Sequence, residues 1–332
     1  MAGAMDAALA VAVARAGGLG SLPAGMLDVE QLRAQTRQFR KDASRKPLNL
    51  NFFAYRPPIR SNAREHAWRE KLNPYYKELG IDPNVPVPTS NRAPFDETIC
   101  GVVEELKPEV VSFHYGLPET PLIKRVKAAG CTIISSATTV AEARFLEKLG
   151  CDAVIAQGIE AGGHRGMFLS ENLDTQLGTF ALLPQVVQAV KVPVVAAGGI
   201  ADAKGVAAAF ALGAAAVQIG TAYLLCPEAT TSAVHRAALK SDAAQLTALT
   251  NLFSGGAARG MMNRLMKELG PINAAAPAFP LASSAIAPLR AKAEAAGRGD
   301  FSPLWAGQNA SGCKEIAALA LTRELANGVP RR

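Results

Sequence analysis

An α/β fold of parallel βα units, a (β/α)8 TIM barrel carrying an inserted, mainly helical substrate domain, is what this sequence predicts, and three observations carry it. Short Val- and Ile-rich runs recur along the chain, each followed by a segment of helical character, as in strands buried on both faces. Two of those helical segments end in Gly130 and Gly150 directly before the next apolar run, where a left-handed C-cap suits glycine. The length of 332 residues, 49% of them hydrophobic, fits two ordinary domains or one enlarged barrel. A chain of this size buries about three-quarters of its unfolded surface, which sets aside disordered and coiled-coil classes.

In chain order, a first helix is expected at residues 6–16, and strands at 18–22, 48–53, 110–115, 132–136, 153–157, 192–197 and 215–220. An eight-stranded barrel needs one more strand, which would have to precede Met1, so the first strand of the barrel is read as truncated. Two segments break the rhythm. Residues 56–96, with NPYY, DPN and PVP turns, read as a long excursion. Residues 226–308 read as helical, with candidate helices at 232–249, 257–269 and 282–296, before a last helix at 314–327. The organisation expected is therefore a barrel over 1–225, a helical lid domain over 226–309, and a returning C-terminal helix within 310–332.

Lys and Arg number 35 against 28 Asp and Glu, and the resulting +7 favours an anionic small molecule or a phosphate cofactor. The basic residues are scattered, the densest group at 37–46 reading as an exposed helix face, so no nucleic-acid partner is expected. Five cysteines without CxxC spacing point to a reducing, cytoplasmic setting and no metal centre. The N-terminus carries Asp6 and Arg15 and lacks the basic start of a signal peptide. The charge-free run 205–227 is long enough to span a bilayer, yet Gly213, Gln218, Gly220 and Thr221 inside it suit a buried helix and strand better, so no membrane association is expected. The expected assembly is a monomer or homodimer.

Three loops hold chemistry. The strand at 192–197 opens into Gly198 and Gly199, and the next ends in Gln218, Ile219, Gly220 and Thr221. Glycines after two consecutive parallel strands expose backbone N–H groups that bind phosphate, where barrels commonly place it. Residues 157–166 begin at Gln157 and present His164 among Gly158, Gly162, Gly163 and Gly166, so a planar ligand can approach the backbone and an imidazole can move a proton. His114 ends another strand and reads as lining the site, while Asn51 near the end of LNLNFF offers an amide to a ligand edge. His66 and His235 read as surface residues.

With those residues in view, the chain closely resembles the nitronate monooxygenase family, formerly the 2-nitropropane dioxygenases, and its class I bacterial members. The resemblance runs over essentially the whole chain, through MAGAMDAALAVAVARAGGLGSLP, NLNFF, VVSFHYG, ISSATTVAEAR, QGIEAGGHRGMF, PVVAAGGIADAKGVAAAFALGAAAVQIGTAYL, NRLMKELGP and SPLWAGQ. It implies an FMN-containing barrel that uses O2 to convert alkyl nitronates, with propionate 3-nitronate the leading candidate, to carbonyl compounds and nitrite. It implies that Asn51, Gln157, Gly162, Gly199 and Gln218 to Thr221 hold FMN with Gly163 and Gly198 completing the loops, that His164 is the base for a neutral nitroalkane, and that His114 is a second histidine of the substrate site. Family members begin with a strand ending in an Ala-Pro-Met-like turn, of which only Met1 stands here. An N-terminally extended chain is accordingly expected to be more stable and to hold FMN more tightly.

Other readings stay open on the residues alone. Related flavin barrels include NADH:quinone reductases and an enoyl-thioester reductase with a similar glycine-glycine-histidine loop. A non-catalytic flavin-binding protein, or a flavin-free barrel for a phosphorylated metabolite, would keep the same phosphate loops.

Overall fold

The apolar runs become strands in a computed structural model that describes residues 3–86 and 92–330; Met1, and the part of the expected PVP turn beyond Pro86, lie outside the described residues. In chain order the strands are β1 (Gly20–Leu22), β2 (Leu48–Phe53), β3 (Val110–His114), β4 (Thr132–Ala137), β5 (Ala153–Gln157), β6 (Gly163–His164), β7 (Val194–Ala197), β8 (Ala216–Gln218), β9 (Thr247–Thr250) and β10 (Ala258–Met261). Seven of them form one curled parallel sheet in the order β1-β2-β3-β4-β5-β7-β8, a TIM-barrel-like α/β fold in which β1 and β8 are the edges.

The helices in chain order are α1 (Ala7–Arg15), α2 (Val29–Asp42), α3 (Asn62–Glu78), α4 (Glu97–Leu106), α5 (Thr120–Ala128), α6 (Val140–Lys148), α7 (Thr179–Ala189), α8 (Ala203–Ala211), α9 (Ala233–Leu239), α10 (Arg264–Leu269), α11 (Ala282–Ala295) and α12 (Ala318–Ala326). Eight of these twelve starts carry a side-chain cap, such as Asp28 in a capping box with Gln31 and Asp202 accepting from the Gly205 amide. Leu48, Leu50, Val111, Phe113, Ile133 and Val154 are fully buried in the main core. Burying such side chains contributes roughly 1.5–3 kcal/mol each, which holds the strands in register.

That register matters for function. Asn51 pairs with Ser112, Phe53 with His114, Gln157 with Ala197, and Ala197 with Gln218, so these residues meet at the carboxyl end of the sheet.

Two expected helices need correcting. Residues 232–249 are not one helix: α9 ends at Leu239 and the segment finishes as β9. Residues 257–269 begin as β10 and only then turn into α10. β6, β10 and β9 form a small antiparallel sheet, which places His164 opposite Ala258. Paired backbone groups there outweigh the weak helical preference of such short runs. The excursion at 56–96 contains a 17-residue helix, α3, that continues through Pro74. Its Trp68, Leu72, Tyr75 and Tyr76 are buried against Leu252, Phe253, Ile286 and Leu289, and this burial offsets the cost of about 3 kcal/mol for an interior proline.

Candidate active site

After β5 the chain has to leave the sheet through backbone that no ladder satisfies, and every carbonyl from Gln157 to Glu160 is caught by a specific donor. Arg165 donates through Nη2 to Gln157 O and through Nη1 to Gly158 O, both at 2.6 Å. Arg259 of β10 donates through Nε to Ile159 O at 2.8 Å, and the Gln308 amide donates to Glu160 O at 2.9 Å. Arg165 is only 1% exposed; burial pushes its pKa down to about 10, which still leaves it charged at neutral pH. Its Nε donates to Gln176 Oε1 at 2.9 Å. The returning half is pinned by Gln157, whose Nε2 donates to His164 O at 2.9 Å and whose Oε1 accepts from the Gly166 amide at 2.8 Å.

The two histidines of this loop region are held differently. His114 Nε2 lies 3.1 Å from His164 O, and a carbonyl only accepts, so Nε2 carries the proton and Nδ1 accepts from Ser136 Oγ at 3.2 Å. Burial pushes its pKa down to about 4, so the ring is neutral. His164 Nε2 lies 2.7 Å from Ser254 Oγ, its one side-chain hydrogen bond among the described residues. Burial first, then the nearby Arg92 and His114, hold its pKa well below the usual histidine range. It is a neutral imidazole at working pH.

Aromatic rings enclose His164. Phe279 and Trp305 pack edge-on at centroid distances of 5.1 and 5.4 Å, and Tyr115 stands at 6.3 Å. Phe279 also meets Tyr55 and Tyr115, each at 5.0 Å. Tyr115 follows β3 directly and holds φ +72°, a left-handed conformation that is strained for a bulky side chain.

The glycines fall into two groups. A Cβ on Gly162 would lie 2.5 Å from the Gly307 amide, and one on Gly198 would lie 2.9 Å from Thr179 Oγ1, so these two permit close approach of the protein's own chain. Gly163 and Gly199, at φ +75° and +72°, face open space: nothing lies within 4 Å of a Cβ on the first, and only Glu160 at 3.6 Å or beyond on the second. Gly199, Gln218 and Gly220 stand at the ends of adjacent strands; Thr221 Oγ1 accepts from the Gly307 amide at 2.9 Å, and Ile219 packs on the cluster around Leu9 and Val206. Asn51 Oδ1 accepts from Ser112 Oγ at 2.8 Å.

The sequence reading missed Ser254, Phe279, Tyr55 and Arg92. Trp305 sits inside the SPLWAGQ motif but had no role assigned. His66 is exposed as expected, whereas His235 is buried, a correction: α9 turns it inward and burial pushes its pKa down to about 4. A surface groove of about 600 Å3 lined by Asp6, Arg15, Gln35 and Asp42 lies on the outer helices, away from these strand ends. Among the described residues no group of His, Cys, Asp and Glu is arranged to hold a metal, and no helix is long and apolar enough to cross a membrane.

A parallel sheet with desolvated histidines at its carboxyl ends defines an enzyme of the barrel class, and the comparisons narrow this to an oxidoreductase. The nitronate monooxygenase family model matches residues 1–328, and the chain belongs to that family. It is 42% identical over 327 residues to a nitronate monooxygenase of Pseudomonas aeruginosa, covering 98% of this chain and 93% of that one. A nitronate monooxygenase of Paraburkholderia phytofirmans is 41% identical over 329 residues, 98% of this chain and 89% of its own. Among solved structures, a nitroalkane oxidase from Streptomyces ansochromogenes superposes with TM-score 0.90 at 36% identity, covering 98% and 92% of the two chains. FabK from Thermotoga maritima is more distant, with TM-score 0.69 at 29% identity over 98% and 89%.

Proposed function

We propose that this enzyme is an FMN-dependent nitronate monooxygenase that oxidises small alkyl nitronates, propionate 3-nitronate foremost, with O2 to a carbonyl compound and nitrite. The observation that carries this reading is the setting of His164: an imidazole on a glycine loop, 2.7 Å from Ser254 Oγ and enclosed by Phe279 and Trp305, where burial and the Arg92 cation favour its neutral form. Such a base accepts a proton reluctantly, since the imidazolium would be buried beside positive charge. An anionic nitronate needs no deprotonation and is attracted by that same charge. The site therefore suits the preformed anion better than the neutral nitroalkane.

The open glycines fit a phosphate-bearing cofactor. Gly199 leaves the room that a phosphoryl group needs, and Gly163 lets a flat ring system approach the loop. In this reading Asn51 and Gln218 face the ring edge, Gln157 holds the loop beside the ring through its bonds to His164 O and the Gly166 amide, Gly198 and Gly162 shape the turns, and Ile219, Gly220 and Thr221 line the phosphate end. Bound there, FMN supplies one-electron chemistry toward O2. The chain's own part is to orient the nitronate, exclude water with Phe279 and Trp305, and hold a proton at His164 Nε2 or Nδ1 when the substrate arrives neutral. His114, with both ring nitrogens engaged, acts in this account by holding the His164 carbonyl at the edge of the substrate pocket. The five unpaired cysteines suit a reducing cytoplasm.

Replacing His164 by Ala tests the reading. Turnover of neutral nitroethane should fall by about 10²–10⁴-fold, the usual contribution of a general base, while turnover of ethyl nitronate should stay within about threefold. Equal loss on both substrates would contradict a role as base.

A further inference from the structure

Tyr115 presents an unusual combination of features next to His164. Its hydroxyl is inaccessible and has no hydrogen-bond partner among the described residues, although the residue as a whole is only half-buried. Buried polar groups are almost always paired, and an unpaired one weakens the fold unless something else satisfies it. The backbone is also strained at this residue, with φ +72° between His114 and Gly116, which itself takes φ +92°. Two departures from comfortable structure at one side chain mark a function rather than a packing need.

The surroundings say what the hydroxyl meets. Phe53, Tyr55, Phe279 and the two histidine rings pack around the phenol at centroid distances of 4.8 to 6.4 Å, so it cannot swing away. Gly256 leaves the hydroxyl its space: a Cβ there would lie 3.0 Å from Tyr115 Oη. The neighbouring charge that acts on the phenol is the Arg92 guanidinium. Burial outweighs that cation and drives the phenol pKa far up, so the group remains a proton donor at any working pH. A neutral donor beside a cation in an apolar enclosure is built for an anionic acceptor.

We propose that the Tyr115 hydroxyl is a substrate-binding group, donating a hydrogen bond to an anionic oxygen of the bound nitronate beside His164. The proposal rests on the nitronate reading above and adds the residue that selects the anion. It also explains the strain: an extended residue after β3 would put the phenol on the face of Phe113, opposite His114, and the left-handed turn breaks that alternation.

The test is Tyr115→Phe in the flavin-loaded enzyme, which keeps the ring and removes only the oxygen. Anaerobic titration with ethyl nitronate should show about a tenfold rise in Kd and steady-state assays a similar rise in KM, with kcat within about threefold, as for loss of one hydrogen bond to a charged group. Flavin affinity should be unchanged, and the melting temperature without substrate should be equal or higher, because an unpaired buried hydroxyl has gone. Unaltered nitronate Kd would overturn the proposal, as would weakened flavin binding with nitronate Kd unaltered, which would assign the hydroxyl to the cofactor. If the wild-type holoenzyme turns over no nitronate, it is the nitronate reading that fails; unaltered binding in the variant of an active enzyme fails only the role of Tyr115.

Discussion

The loop from Gln157 to Gly166 and the aromatic layer facing it close the same site by opposite means. On the loop side four successive carbonyls are held by Arg165, Arg259 and the Gln308 amide, and Gln157 spends both ends of its amide on the returning strand. On the facing side Phe279 and Trp305 pack on the His164 ring, Tyr55 packs on Phe279, and the Tyr115 hydroxyl has no partner among the described residues. A saturated hydrogen-bond network fixes position, whereas an apolar enclosure with one free donor selects what enters. Placement of the imidazole and choice of substrate are thus separable, and substitutions on the two sides should have different signatures.

The largest effect is expected on the loop side. Arg165→Met removes the donor for two loop carbonyls and for Gln176 in a site that is 1% exposed, and should cost roughly 3–5 kcal/mol of stability in denaturant unfolding. A loss below about 1 kcal/mol would show that the clamp is not what holds the loop.

Acid should reveal the desolvated imidazoles next. His114 and His235 both have folded pKa values pushed down to about 4 by burial, below their unfolded value near 6.5; around His235 the other charges are Arg290, which lowers, and Glu294, which raises. The unfolded chain binds more protons between those values, so stability is full above about pH 6.5 and falls toward pH 4, by up to about 1.4 kcal/mol per pH unit for each ring. Because His164 is also held well below the usual histidine range and adds to the same slope, His235→Asn should remove about a third of it in melting curves taken across this range. An unchanged slope would mean that His235 does not titrate on unfolding.

The smallest effect on the fold belongs to the aromatic side. Trp305→Leu should keep the melting temperature within a few degrees and raise KM for nitronate several-fold, because it opens the enclosure without touching the carbonyl clamp. A larger fall in kcat than rise in KM would break the division between the two sides.

Much of this was legible in the sequence for physical reasons. Val- and Ile-rich runs such as Ala153–Gln157 have no soluble alternative to burial, and the glycines at 163 and 198–199 take a left-handed backbone while Gly162 permits close approach of the chain. What escaped was whatever depends on distant chain segments meeting. Ser254 reaches His164 across 90 residues, and no local pattern marks it. Pro74 reads as a breaker, and only the partners of Tyr75 and Tyr76 keep α3 intact through it. β9 and β10 are each four residues long and become strands because they find one another and β6. His235 looked like surface because its inward face is set by the segment at Trp305.

The central claim, oxidation of a nitronate by O2 at a flavin site around His164, is tested most directly by oxygen consumption. The purified holoenzyme, mixed with preformed ethyl nitronate in the absence of NADH, should consume O2 and release nitrite. No consumption with nitronate, together with rapid anaerobic bleaching of the flavin by NADH, would contradict the account and place the enzyme among the nicotinamide-fed reductases.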